Sequence, residues 1–158
     1  MLTFEQMALR LIVAMAVGAI IGLEREVVGK DAGIRTAMLV SAGAAIFAMI
    51  SVDMPYLSGI DPEKLTNVLP DRVVSNIVVG IGFLGAGIII KSGEHVRGLT
   101  TSAVVWVTAA AGTLVGLGLI RFAIFSAAMI TLPLYFLRKI RLYEKIRPER
   151  KDSIDNGD

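Results

Sequence analysis

The chain has 158 residues, 54% of them hydrophobic and 19% charged, with no cysteine and a formal net charge of +2. An average soluble domain is about 45–50% apolar and about 25% charged, so the balance favours a bilayer, and the length allows one domain. The missing cysteines exclude disulfides and thiolate metal sites, and so small a net charge gives no ground for a nucleic-acid partner.

A hydrocarbon core of about 30 Å takes about 20 apolar residues as helix, with a range of about 17–25. The first stretch that qualifies is Thr3–Leu23, whose polar residues Glu5, Gln6 and Arg10 stand in its opening turns. No Lys or Arg occurs in its first nine residues, and no small-x-small site precedes Glu24-Arg25-Glu26. It therefore reads as a retained helix rather than a cleaved signal. The second span is Thr36–Val52 and the third Val73–Ile90. From Leu99 to Leu137 the only charge is Arg121, over twice the length of one span. This stretch divides into Leu99–Val115 and Arg121–Leu137, with Gly116-Leu117-Gly118 as the turn, because glycine accepts backbone angles that other residues resist. The prediction is an all-α, polytopic membrane bundle of about five transmembrane helices over residues 1–147, followed by a disordered tail, 148–158. Arg138–Lys151 is expected to prolong the last helix until Pro148 stops it.

Orientation follows from where Lys and Arg fall. Five spans put Glu24–Arg35, Lys91–Gly98 and the tail after Leu137 on one side, with twelve Lys and Arg residues against four on the other. The N-terminus is thus predicted outside and the C-terminus in the cytoplasm. The long loop Asp53–Arg72 then faces outward, with Asp53, Asp61, Glu63 and Asp71 making it acidic and Pro55, Pro62 and Pro70 giving it turns.

In lipid, helices gain little from burying apolar surface on each other, so small residues that permit close approach decide packing. At about 100° per residue, Ala14, Gly18, Gly22 and Arg25 share a face of the first helix, and Ala37, Ser41, Ala45 and Ala48 a face of the second. Thr101, Thr108 and Gly112 lie together on the fourth, and Gly18/Gly22 and Gly112/Gly116 are G-x-x-x-G pairs. Each stripe suits packing within one bundle or an interface between copies of the chain.

The third helix concentrates Gly80, Gly82, Gly85 and Gly87 in eight residues. Each glycine costs about 1 kcal/mol of helix propensity relative to alanine, so the cluster needs compensation. Arg72, Asn76, Gly80, Phe83 and Gly87 share one face, with Gly82 and Gly85 on the other. One expectation is a central helix approached closely from both sides. The alternative is a locally unwound helix whose carbonyls bind an ion, tolerated where it lines a cavity.

Ionisable groups gather at the membrane boundary: Glu24, Arg25, Glu26 and Arg35 at one set of helix ends, Lys91 and Arg97 at the next cytoplasmic turn. They act as interfacial anchors or as a network joining Glu24, Arg25, Arg35 and Arg97 under the bundle. No carboxylate lies mid-span, where proton pumps and transporters need such groups, and this argues against active transport. His95 stands alone in its loop, and Gly80-x-Gly82-x-x-Gly85 lies inside an apolar span where dinucleotide chemistry has no place. No nucleophile–base pair is visible, so no enzyme and no cofactor is expected.

Four segments carry a resemblance. They are Gly18-Ala-Ile-Ile-Gly-Leu-Glu-Arg-Glu26, Ala32-Gly-Ile-Arg-Thr36, Asp71-Arg-Val-Val-Ser-Asn-Ile-Val-Val-Gly-Ile-Gly-Phe-Leu-Gly-Ala-Gly87, and Val96-Arg-Gly-Leu-Thr-Thr-Ser-Ala-Val-Val-Trp-Val-Thr-Ala-Ala110. In order and spacing, over about residues 10–120, the chain resembles the membrane domain of the MgtC/SapB family. The resemblance implies a prokaryotic plasma-membrane protein linked to growth at low magnesium, in a family with virulence-associated members. It further implies a regulator of other membrane proteins, notably the F-type ATP synthase, with Mg²⁺ transport through the third helix as the alternative. Positions carried over are Glu24, Arg25, Gly33, Arg35, Arg72, Gly82, Gly85, Gly87, Arg97, Gly98, Thr100 and Trp106. Larger members have a further cytoplasmic domain, not expected beyond Asp158, and some have Asn and Cys where this chain has Thr100 and Val107. A homo-oligomer is expected.

Overall fold

A computed structural model describes residues 1–57, 59 and 70–139. These form five helices, α1 (Phe4–Val27), α2 (Ile34–Leu57), α3 (Pro70–Ile88), α4 (Leu99–Gly116) and α5 (Ile120–Lys139). A short antiparallel hairpin, β1 (Ile90–Ser92) and β2 (His95–Arg97), joins α3 to α4. α1, α2 and α4 are long and apolar enough to cross a membrane; α3 and α5 contribute shorter apolar stretches, Arg72–Ile88 and Ile120–Phe136. The outer loop beyond Gly59 and the basic tail from residue 140 lie outside the described residues.

Local chemistry sets the ends. Thr3 caps α1 in a reciprocal box: its hydroxyl accepts from the Gln6 N–H at 3.3 Å, and the Gln6 carboxamide accepts from the Thr3 N–H at 3.1 Å, which satisfies two otherwise orphaned donors. After α1 the chain reverses through Gly29 (φ +65°) and Ala32 (φ +59°). α2 runs further than the sequence suggests. Asp53, expected in the acidic outer loop, is helical, buried, and accepts a 2.8 Å hydrogen bond from the Leu2 N–H. α3 ends at Ile88 rather than Ile90, because Ile90 enters the hairpin and pairs with Arg97. Gly116-Leu117-Gly118 makes the predicted turn, with Gly118 at φ +90°.

The core is a triad of α1, α2 and α4 whose backbones approach closely at four glycines, with Val17, Ile21, Val104 and Val115 buried among them. A Cβ on Gly18 would stand 2.5 Å from the Ala37 carbonyl oxygen, and one on Gly22 2.7 Å from Ile34 Cα. On α4, a Cβ at Gly112 would strike the Ser41 carbonyl, and one at Gly116 would come within 2.5 Å of the Ala45 oxygen. Ser41 sits at the junction of all three, its hydroxyl donating to the Ala14 carbonyl at 2.7 Å. The predicted stripes Ala14/Gly18/Gly22/Arg25, Ala37/Ser41/Ala45/Ala48 and Thr101/Thr108/Gly112 are all buried here.

The third helix is not central. α4 packs against each of the other four helices, whereas α3 lies outside it, touching α4 and α2. α3 is also continuous through its glycines, so its carbonyls serve the helix ladder and none is freed for an ion by unwinding. α5 closes the opposite flank against α1 and α4.

Candidate functional site

Two places hold most of the residues the sequence singles out. The first is the end of the bundle where α1 finishes and α2 and α4 begin. Arg25, the last inward position of α1, is only 5% exposed. Its Nη2 donates to Thr101 Oγ1 of α4 at 3.0 Å, and its Nη1 lies 3.8 Å from Glu24 Oε2. Glu24 Oε2 and Arg25 Nε are buried and have no hydrogen-bond partner among the described residues. A buried, unpaired polar atom costs about 1–3 kcal/mol, so this pair is held there by the surrounding helices rather than by its own attraction.

Glu26, one residue on, does different work. Its Oε2 accepts the Ile34 N–H at 2.8 Å, satisfying a donor at the start of α2 and placing negative charge at the positive end of that helix. Gly33 makes this possible, since a Cβ there would stand 2.5 Å from the same oxygen. Gly98 fixes the neighbouring corner. At φ +85° it is the N-cap of α4, and a Cβ would strike the Ile88 carbonyl at the end of α3. Arg35, Arg97 and Thr100 are exposed around this end. The expected four-residue network therefore reduces to Glu24, Arg25 and Thr101, with Arg35 and Arg97 outside it.

The second place is α3. Gly85 is buried, where an added Cβ would meet Ser102 Oγ at 2.6 Å. Arg72, Asn76, Gly80, Gly82 and Gly87 are exposed, and around the last three an added Cβ would meet nothing within 4 Å. Between α3 and α2 runs an open groove of about 530 Å³, lined by Gly43, Phe47, Asn76, Gly80, Ile81 and other apolar residues. Asn76 is the polar side chain in that lining. Trp106 is half-exposed on α4.

Neither place holds a metal-ligand set: among the described residues no three His, Cys, Asp or Glu side chains cluster. Magnesium takes about six oxygens and keeps several waters, which the groove lining does not offer. Arg10, placed by the sequence in the opening turns of the first span, has a structural role that was not anticipated. Its Nη1 donates to the Gly116 carbonyl at 2.7 Å, tying α1 to the end of α4. The available signal was a lone cation inside an apolar span, which must find an internal acceptor.

A profile described as the MgtC family matches residues 11–143. Protein MgtC of Salmonella typhimurium is 40% identical over 131 residues, 83% of this chain and 52% of that protein. An Escherichia coli K12 protein named as a candidate magnesium transporter, YhiD, is 38% identical over 132 residues, covering 80% of this chain and 58% of its own length. An uncharacterised Synechocystis protein is 36% identical over 152 residues, 96% of this chain and 61% of that protein. The chain thus spans little more than half the length of these relatives. No solved structure matches.

Proposed function

The chain belongs to the MgtC family, and on that premise we propose that this membrane protein serves magnesium homeostasis without being an enzyme, by regulating other membrane proteins through helix contact. The observation that carries the reading is the closed core. α1, α2 and α4 meet backbone to backbone at Gly18, Gly22, Gly112 and Gly116, which supports a packed bundle over a hydrated path along its centre. The groove between α2 and α3 is apolar but for Asn76, which suits a helix or a lipid chain better than a hydrated dication.

We place the protein in the prokaryotic plasma membrane with the hairpin end cytoplasmic. An F-type ATP synthase, the partner the family resemblance implies, is the first to test by co-purification from membranes. The competing reading, a Mg²⁺ carrier, draws on the name of the YhiD relative. Purified chain in liposomes loaded with a Mg²⁺ indicator separates the two. Regulation predicts flux no greater than in empty liposomes from protein shown to be folded; saturable flux overturns it.

A further inference from the structure

We propose that the outward face of α3 is an interface between two copies of this chain, paired in parallel about an axis along the membrane normal and joined by their Asn76 carboxamides. The inference stands apart from the choice between regulator and carrier.

The face is defined by what α3 leaves uncovered. Gly85 and Ile81 turn toward the bundle and are buried. At about 100° per residue, Asn76, Gly80, Phe83 and Gly87 share the opposite side, and all four are exposed, Asn76 and Gly80 at the edge of the α2/α3 groove. Asn76 lies within the apolar stretch Arg72–Ile88 and hydrogen-bonds to no described residue. A carboxamide left facing hydrocarbon is costly, and lipid tails offer it nothing.

What would cover it follows from the chemistry of the amide. A carboxamide carries both an acceptor and two donors, so two of them satisfy each other. A second copy inserted the same way brings an identical carboxamide to the same depth and on the same helix face. A partner of different sequence would need its own polar group there. Closed two-fold pairing of this kind is the commonest form of oligomer.

The remaining shape agrees. Gly80 and Gly87 have no neighbour within 4 Å of an added Cβ, so two α3 backbones approach closely there. Phe83 is 81% exposed, and the α2/α3 groove beside it is floored by Gly43 and Gly80. A parallel two-fold axis sets the Phe83 side of one α3 against the groove side of the other, so each ring enters the opposite groove. Arg72, a turn above Asn76, reaches headgroup water, which screens the two like charges.

The chain has no cysteine, so single cysteines in liposomes report the contact directly. Phe83→Cys and Gly87→Cys are expected to form disulfide-linked pairs on oxidation, and Gly82→Cys and Ala86→Cys are not. Energy transfer between labelled chains should show Asn76→Leu weakening association roughly 3- to 30-fold. Gly80→Ile should abolish association in lipid without lowering the melting temperature in detergent that holds single chains, since one chain leaves that space open. Cross-links on other faces only, full association of both variants, or a chain monomeric in lipid would overturn the proposal and leave lipid or another membrane protein as the occupant.

Discussion

Arg25 is a cation almost fully withdrawn from solvent at the junction of α1 and α4. Among the described residues its guanidinium hydrogen-bonds to Thr101 Oγ1 alone, and the Glu24 carboxylate stands at 3.8 Å. Removing one partner of a buried charge arrangement costs about 3–5 kcal/mol, more than the arrangement contributes, because the other member is left unpaired. Arg25→Ala should therefore destabilise the folded protein by about that much. Thr101→Val should cost about 1–3 kcal/mol, the penalty of a stranded donor. Because the two side chains touch, the double variant should fall short of the sum by about 0.5–3 kcal/mol. Unfolding by a denaturing detergent, monitored in mixed micelles, measures all three. Strict additivity would mean that Arg25 acts through packing of its stem alone. Arg25→Lys is not expected to rescue, since a compact ammonium lacks the planar fork that spans Glu24 and Thr101.

At the scale of the helix, glycine means opposite things on α4 and α3. Gly112 lies on the Ser41 backbone, and a methyl there has nowhere to go; Gly80 has open space around it. In detergent that holds single chains, Gly112→Ala should lose about 1–3 kcal/mol to overpacking. Gly80→Ala should be neutral or gain up to about 1 kcal/mol of helix propensity. Thermal unfolding of the two variants side by side checks the contrast, and equal losses would contradict the arrangement of α3. The same contrast marks what was legible in the sequence. The α1, α2 and α4 stripes were readable because small residues at helical spacing state where two backbones can meet. The third helix was misjudged as central because spacing states that close approach is possible, not which chain supplies the neighbour. The hairpin was unreadable for another reason: strands of three residues, Ile90–Ser92 and His95–Arg97, are too short for a period-two pattern. Arg25 and Gly33 were legible as motif positions, while the capping role of Glu26 depends on a turn through Ala32 at positive φ that its sequence does not announce.

For the whole molecule, the two ends of the bundle differ in charge. The Arg25–Thr101 and Glu26–Ile34 hydrogen bonds put the α1–α2 turn, with Lys30 and Arg35, at the same end as the start of α4, next to the hairpin with Lys91, His95 and Arg97. Arg10 and the Gly116–Gly118 turn mark the other end, where the Arg10 guanidinium is spent on the Gly116 carbonyl. Basic residues just beyond a span favour the cytoplasmic side, and each contributes about 1 kcal/mol of attraction to an anionic leaflet. The hairpin end should therefore face the cytoplasm, so a regulated partner reached through soluble loops would meet Lys91, His95 and Arg97 from inside. Single cysteines test this cleanly, because no native thiol competes. In intact cells a membrane-impermeant maleimide should label Leu119→Cys, in the exposed α4–α5 turn, and spare Ser92→Cys at the hairpin tip until the membrane is opened. The reverse pattern would invert the protein and place the basic hairpin outside. Labelling of both in intact cells would mean that the chain inserts in two orientations, and a parallel pair through Asn76 would then form only between copies inserted the same way.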